Sequence, residues 1–450
     1  MSFPRYPDYK DSGVAWLGLV PEHWIVIPLK RDIEFVTSGA RGWAENYADD
    51  GDLFLRIGNL TRDSIRLDLS DTQRVVVPDG AEVDRTQVQA GDILFSITAY
   101  LGSVAVVPAG LGRAFVSQHV ALVRPSKKHC LSEWLAYVAI SYVGKTHLET
   151  TGYGGTKVQL SLADVTSLPI IVPPIDEQQA IATFLDRETA KIDALVAEQE
   201  KLIALLQEKR QAVISHAVTK GLDPSVPMKD SGVEWLGEVP GHWEVKRLKQ
   251  LCDEPLKYGA NEAAELDDPS LPRFVRITDV TESGALRDET FRSLPREIAE
   301  PFLLREGDVL LARSGGTVGK SFMYQRHWGE ACFAGYLIRV RLSQRLCVPQ
   351  WLNYFCRTDS YWGYVLGSQI QSTIQNVSAE KYANMFLPVP SIEEQQLVIA
   401  FLDQATSKID DLVTEARTAI TLLQERRTAL ISAAVTGQID VRSIASREVA

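Results

Sequence analysis

"IDEQQAIATFLDRETAKIDALVAEQEKLIALLQEKRQAVISHAVT" starts at Ile175, and "IEEQQLVIAFLDQATSKIDDLVTEARTAITLLQERRTALISAAVT" starts at Ile392. Two long, similar blocks in one chain mean two similar units, each ending in the same element. The blocks read as helices. Pro173-Pro174 precede the first, and Pro390 precedes the second, where Ser391-x-x-Glu394 forms a capping-box pattern. Leu185, Ile192, Leu195, Leu202, Leu206 and Val213 recur at steps of three, four or their sum of seven, and Leu402, Ile409, Leu412, Ala419, Leu423 and Leu430 repeat the phase. A seam with a period near 3.5 calls for two helices packed along their length. At ~1.5 Å per residue each block makes a rod of roughly 65 Å, too long to hide its apolar stripe alone. Repetition makes an antiparallel pair with pseudo-two-fold symmetry the economical arrangement. The alternative is that each helix folds back on its own globular part.

Working outward, "KDSGVAWLGLVPEHWIVIPLK" (10–30) returns as "KDSGVEWLGEVPGHWEVKRLK" (229–249), with about 15 of 21 positions matching, Trp16/Trp24 and Trp235/Trp243 among them. Between these starts and the helical blocks the halves diverge but keep shared punctuation. "LFLRIGNLT" (53–61) parallels "RFVRITDVT" (273–281), "VQAGDILFSITAYLGSVAVV" (88–107) parallels "LREGDVLLARSGGTVGKSFMY" (304–324), and "EWLAYVAIS" (133–141) parallels "QWLNYFCRT" (350–358). Alternating β-branched runs, turn glycines and a short amphipathic helix in each half indicate mixed α/β domains. The expected fold is therefore α+β. It has two mixed globular domains, at 1–172 and 222–389, joined by long helices at 173–221 and 390–450 packed as an antiparallel coiled coil. Framework positions agree while loops differ, as expected of one scaffold presenting two surfaces.

"ARSGGTVGKSF" (312–322) imitates a phosphate-binding loop, yet position 314, where that loop needs its first glycine, is Ser. A strand-like pattern follows it instead of a helix, and the first-half counterpart "ITAYLGSVAVV" has no lysine. Nucleotide hydrolysis is not expected. Other reaction chemistry is equally hard to find. A methyl-donor glycine fingerprint and an Asn-Pro-Pro-aromatic motif are missing, and Asp8-Tyr9-Lys10 and Glu244-Val245-Lys246 match a metal-nuclease pattern only trivially. His23 and His242 occupy matching repeat positions beside Trp and read as packed residues. The five cysteines, Cys130, Cys252, Cys332, Cys347 and Cys356, form neither a zinc set nor a disulfide framework and read as buried thiols. With 45% hydrophobic residues, no membrane-length apolar run and no secretory signal, the cytoplasm is the expected compartment.

The net charge of −11 is unevenly spread. From Arg305 to Arg345 there are seven basic and three acidic side chains, and from Arg113 to Lys157 six and two, whereas the helical blocks lean acidic. A nucleic-acid surface would therefore belong to the globular parts. Gly-rich turns bearing Arg313 and Lys320 suit close approach to a phosphodiester backbone. "TGYGGTKVQLS" (151–161) and "SQIQSTIQNVS" (368–378) offer amides and hydroxyls that match base edges, or else surface loops that satisfy their own backbone.

The duplicated "DSGVEWLGEVPGHWE"-like starts, the "GDVLLARSGGTVGK" loop and the "PPIDEQQAIATFLD" and "VPSIEEQQLVIAFLD" helix entries resemble the specificity (S) subunit of type I restriction-modification enzymes over essentially the whole chain. The first half departs from the family's loop pattern, with "SITAYLGSV" where a basic, Gly-rich loop is common. The resemblance implies two target recognition domains, each reading one half of a split, asymmetric double-stranded DNA target, with the helices as a spacer. It also implies docking of two methyltransferase (M) subunits and recruitment of restriction/translocase (R) subunits. S-adenosylmethionine, ATP and Mg would then sit on those partners, with no cofactor, metal or catalytic residue in this chain. The other reading is an assembly scaffold that does not read DNA. Expected DNA contacts are Arg56, Asn59, Ser96, Thr98, Tyr100, Thr156 and Lys157 in the first domain. In the second they are Arg276, Thr278, Arg313, Ser314, Lys320, Gln371, Thr373, Gln375 and Asn376.

Overall fold

The computed structural model describes residues 3–39, 41–78, 80–152, 159–263, 265–281, 284–370 and 376–442. The chain divides into two compact units, Met1–Gln199 with Arg417–Ala450, and Glu200–Ala416.

In the first unit the buried runs become an antiparallel sheet in the order Ile33–Ser38, Val120–Pro125, Ile93–Ser96, Val104–Val106. Helix Ser132–Ile140 lies against it, nearly all of its residues buried. A second sheet pairs Asp52–Leu55 in parallel with Ala114–Val116. The repeated start supplies strand Ile25–Pro28, which pairs with Pro169–Val172 immediately before the long helix. That pairing explains why the two sequence repeats flank each variable region: they close the unit on itself. Trp24 and Trp134 meet edge to face at 5.9 Å, and Trp134 Nε1 donates to Ile171 O at 2.7 Å.

The second unit repeats the plan. Its sheet runs Lys257–Tyr258, Leu337–Val340, Val309–Ala312, Ser321–Met323, and Arg273–Val275 lies parallel to Ala331–Phe333. Strand Glu244–Arg247 pairs with Phe386–Val389, Trp243 meets Trp351 at 5.5 Å, and Trp351 Nε1 donates to Pro388 O at 2.9 Å.

The repeated blocks form single helices, Ile175–Lys220 and Ile392–Val435. Within the second unit Leu206 packs with Ile409, Val413 and Ile203, and Arg210 Nε lies 3.0 Å from Asp410 Oδ1. Within the first unit Arg427 Nε lies 3.0 Å from Asp193 Oδ1. Asp193 and Asp410, like Arg210 and Arg427, are repeat counterparts, so the same antiparallel ion pair is made once in each unit. The helices also fold back on the globular parts. Ile181, Phe184, Leu185, Ile431 and Val435 sit in the first unit's core, and Ile214, Val218, Val398 and Leu402 in the second's.

The seam follows the sequence expectation only in part. Ile192, Leu206 and Ile409 are buried, Leu423 and Leu430 half-buried, but Leu195, Leu202 and Leu412 are exposed. Leu185 and Leu402 are buried in the domain cores, in clusters that also hold Val435 and Val218 of the other long helix. The inward stripe passes through Val196 and Ile203 on the first helix and Val413, Ala416 and Ile420 on the second. A 3.5 period set on every leucine admits two phases, and the exposed leucines belong to the other one. The capping box is also only half formed. Ser391 Oγ accepts from Glu394 N at 3.2 Å, but the Glu394 carboxylate takes His242 Nε2 at 2.9 Å and Trp243 Nε1 at 3.0 Å. His23 likewise reaches Glu177 at 2.9 Å, so both histidines bind the helix entry.

Two buried glutamines fasten each helix to its domain. Gln178 Oε1 accepts from Leu131 N at 2.9 Å, and its amide donates to His129 O and Pro173 O. Gln395 repeats this with Val348 N, Leu346 O and Pro390 O. Both side chains are fully buried with donors and acceptors spent, the condition for burying an amide without penalty. Among the described residues, no helix is long and apolar enough to cross a membrane, and no cluster suited to a metal is found.

Candidate nucleic-acid interface

At one end of each sheet, three backbone segments are tied into a short ladder. In the first unit Ile97 N donates to His119 O at 3.1 Å, and Leu160 N donates to Ile97 O at 2.9 Å. In the second, Arg313 N donates to Tyr336 O at 3.0 Å, and Val377 N donates to Arg313 O at 2.9 Å. The register fixes what joins them. Leu55 pairs with Val116 and Val275 with Phe333, which brings the Arg56 and Arg276 turns beside the same ladder.

The side chains on this common backbone differ. In the first unit Ser38, Arg41, Thr98, Gln118, His119 and Gln159 line a cleft of about 410 Å³. Gln118 Nε2 lies 3.1 Å from His119 Nε2. Tyr100, 62% exposed at a left-handed φ of 55°, forms the tip of the neighbouring turn, with the Arg62 guanidinium 5.5 Å from its ring. In the second unit the Arg313 guanidinium stacks 4.7 Å above the Tyr258 ring, with Nε 3.5 Å from Asn376 Oδ1. Ser314 bridges Asn376, and Tyr336 stands 68% exposed beside them.

Eleven expected contacts lie among the described residues. Arg313, Ser314 and Asn376 come together although 62 residues separate Ser314 from Asn376 in the chain. Thr98 and Tyr100 share the first unit's ladder end, while Lys320 and Thr278 are exposed on turns. Arg56 is half-buried and pairs with exposed Asp71 at 3.3 Å. Three need correction. Asn59 is buried, its Oδ1 accepting from Arg56 N and its amide donating to Asp68 O and Asp71 O. Ser96 is buried with its hydroxyl on Ala99 O. Arg276 forks onto buried Asp279 at 3.0 and 2.7 Å and also reaches Thr290 O. These side chains hold turns, and their polarity is consumed there. Thr156, Lys157, Gln371, Thr373 and Gln375 lie outside the described residues.

The basic excess counted along the sequence is partly internal as well. Arg124 forks onto buried Asp92 at 2.8 and 2.8 Å, and Arg341 onto buried Asp308 at 2.8 and 2.7 Å. Arg339 and Arg341 also converge on Glu254, whose pKa is lowered chiefly by the hydrogen bond from Arg341. Arg41, Gln118, His119, Tyr258 and Tyr336 were not among the contacts expected from the sequence, and Gln159 entered only as the amide of the run 151–161. The signal was available for Gln118, His119 and Tyr336: "VSQHVAL" (116–122) and "FAGYLIR" (333–339) align by the repeat and differ at the turn.

The "GGTVGK" loop is a hairpin turn. Strand Val309–Ala312 passes through Gly315–Thr317 into strand Ser321–Met323. Gly319 sits at φ +85°, where a Cβ would come 2.7 Å from Trp362. The glycine serves close packing, and no helix follows to face a phosphate.

The sequence model described as "Type I restriction modification DNA specificity domain" matches residues 46–204 and 240–422. The chain belongs to that family. Each matched stretch spans most of one diverging half and runs on into the long helix that follows it. Among curated relatives, the chain is 23% identical over 443 residues to the type I restriction enzyme EcoKI specificity subunit of Escherichia coli K12, covering 94% of this chain and 90% of that protein. It is 22% identical over 437 residues to the StySPI specificity subunit of Salmonella potsdam, with the same coverages. Solved structures similar to this specificity-family fold include the HsdS subunit from Thermoanaerobacter tengcongensis, with TM-score 0.52, 18% identity and coverage of 93% of this chain and 98% of that one. A chain from a study of type I restriction-modification complex assembly superposes better, at TM-score 0.71 and 18% identity, covering 93% and 99%.

Proposed function

We propose that this chain is the non-catalytic subunit that gives a type I restriction-modification complex its DNA sequence specificity, each domain reading one half of a split, asymmetric target. The observation that carries this reading is the repeated ladder: one backbone arrangement, fixed by matching hydrogen bonds, bearing unrelated polar and aromatic side chains in the two units. A rigid frame with exchanged side chains is what two different base sequences require of one scaffold.

The helices carry a second set of matched features. Leu195 and Leu412 are exposed repeat counterparts, as are Leu205 and Leu422. Equivalent apolar patches on both helices suit two copies of one partner, the methyltransferase subunit, which would bring S-adenosylmethionine and extrude the target adenine. Restriction/translocase subunits would bring ATP and Mg. Much of the sequence-independent phosphate attraction would come from those partners, which fits a chain of net charge −11.

The test is selection from a randomised duplex library by the chain assembled with its methyltransferase subunits. Recovery of two short defined blocks separated by a fixed run of unspecified bases is the expected result. A complex that assembles but enriches no motif would establish the scaffold reading instead.

A further inference from the structure

The ladder fixes which side chains in each unit are positioned to discriminate bases. We infer that Arg313 reads a guanine in the half-site bound by the second unit, and that Gln118 occupies the corresponding reading position in the first. This deepens the proposed DNA-reading function and rests on it.

A guanidinium that specifies guanine must present two N–H groups in a fixed plane toward O6 and N7. An unrestrained arginine loses rotamer entropy on binding and serves equally well on any phosphate. Arg313 is held on three sides. Its backbone is bonded in both directions, to Tyr336 and Val377. Its guanidinium lies on the Tyr258 ring at 4.7 Å, and Nε faces Asn376 Oδ1. Tyr258 is itself fixed, its hydroxyl accepting from Ala379 N at 2.9 Å. Among the described residues the two terminal nitrogens meet no acceptor, so the edge that would fork onto a base is left available. Arg276 provides the contrast within the same unit, since its fork is closed on Asp279.

In the first unit the ladder position of Arg313 is held by Ile97, which is buried and offers nothing polar. The polar function shifts across the ladder to Gln118, half-buried and oriented by His119, at the position where the second unit has Gly335. A glutamine amide offers one donor and one acceptor, the complement of adenine N6 and N7. Arginine in one unit and amide in the other give the halves different base preferences without moving the backbone.

The experiment maps methyladenine across the genome of cells carrying the chain with its methyltransferase subunits, comparing wild type, Arg313→Lys and Gln118→Ala. Lysine keeps the charge but not the fork. The expected result is relaxation at one guanine position for Arg313→Lys, discrimination falling about tenfold or more there, with the other half-site unchanged. Gln118→Ala should relax one position in the opposite half. Arg313→Lys that lowers methylation evenly over an unchanged motif would make Arg313 a phosphate contact and overturn the inference. Absence of any split motif in the wild type would instead overturn the DNA-reading function itself.

Discussion

Gly319 shows how a single residue can mislead and then inform. Its neighbours spell a phosphate loop, yet its left-handed φ and the 2.7 Å approach a Cβ would make to Trp362 assign it to packing under helix Asp359–Ile370. Gly319→Ala should therefore cost about 2 kcal/mol or more through strain and overlap, lowering the second unit's melting transition by several degrees. Gly316, with nothing within 4 Å of a Cβ, should tolerate Ala within about 0.5 kcal/mol. Differential scanning calorimetry of both variants checks this pair; equal sensitivity at the two positions would return the loop to a ligand-binding role. The same scale explains which candidate contact residues were legible. Arg313, Ser314 and Asn376 could be named from the sequence because they stand in runs that differ between the repeats. Asn59, Ser96 and Arg276 look identical in sequence to base readers, since an amide, a hydroxyl or a guanidinium that caps a turn has the same composition as one that faces DNA. Burial alone separates them.

At the scale of elements, the long helices were legible because their length, entry prolines and repetition leave few alternatives. Their inward phase was legible only in part. Leu195, Leu202 and Leu412 made an attractive heptad, but the buried stripe runs through Val196, Ile203, Leu206, Ile409 and Val413. Exposed leucines and seam leucines carry the same period, and no single-helix pattern tells them apart. The structure therefore separates two kinds of substitution. Leu206→Ala opens a cavity where the helices meet and should lower stability by about 2 kcal/mol or more. Leu195→Ala and Leu412→Ala should leave the melting temperature of the isolated chain almost unmoved while weakening methyltransferase-subunit binding about tenfold in a titration. Loss of stability without loss of partner affinity in the Leu195 and Leu412 variants would remove the exposed leucines from the docking face.

For the molecule as a whole, each unit repeats the same construction. The early Trp-bearing segment pairs with the strand before the long helix, a buried glutamine fastens that helix, and an Asp–Arg pair ties one helix to the other. Variation is confined to what these fastenings enclose, which makes the enclosed region exchangeable in principle. Replacing residues 25–172 with the corresponding region of another family member, and mapping methyladenine in cells that carry the partner subunits, tests this most directly. The expected result is a motif with one half replaced and the other half unaltered. A motif changed in both halves, or in neither, would contradict the assignment of one domain to one half of the target.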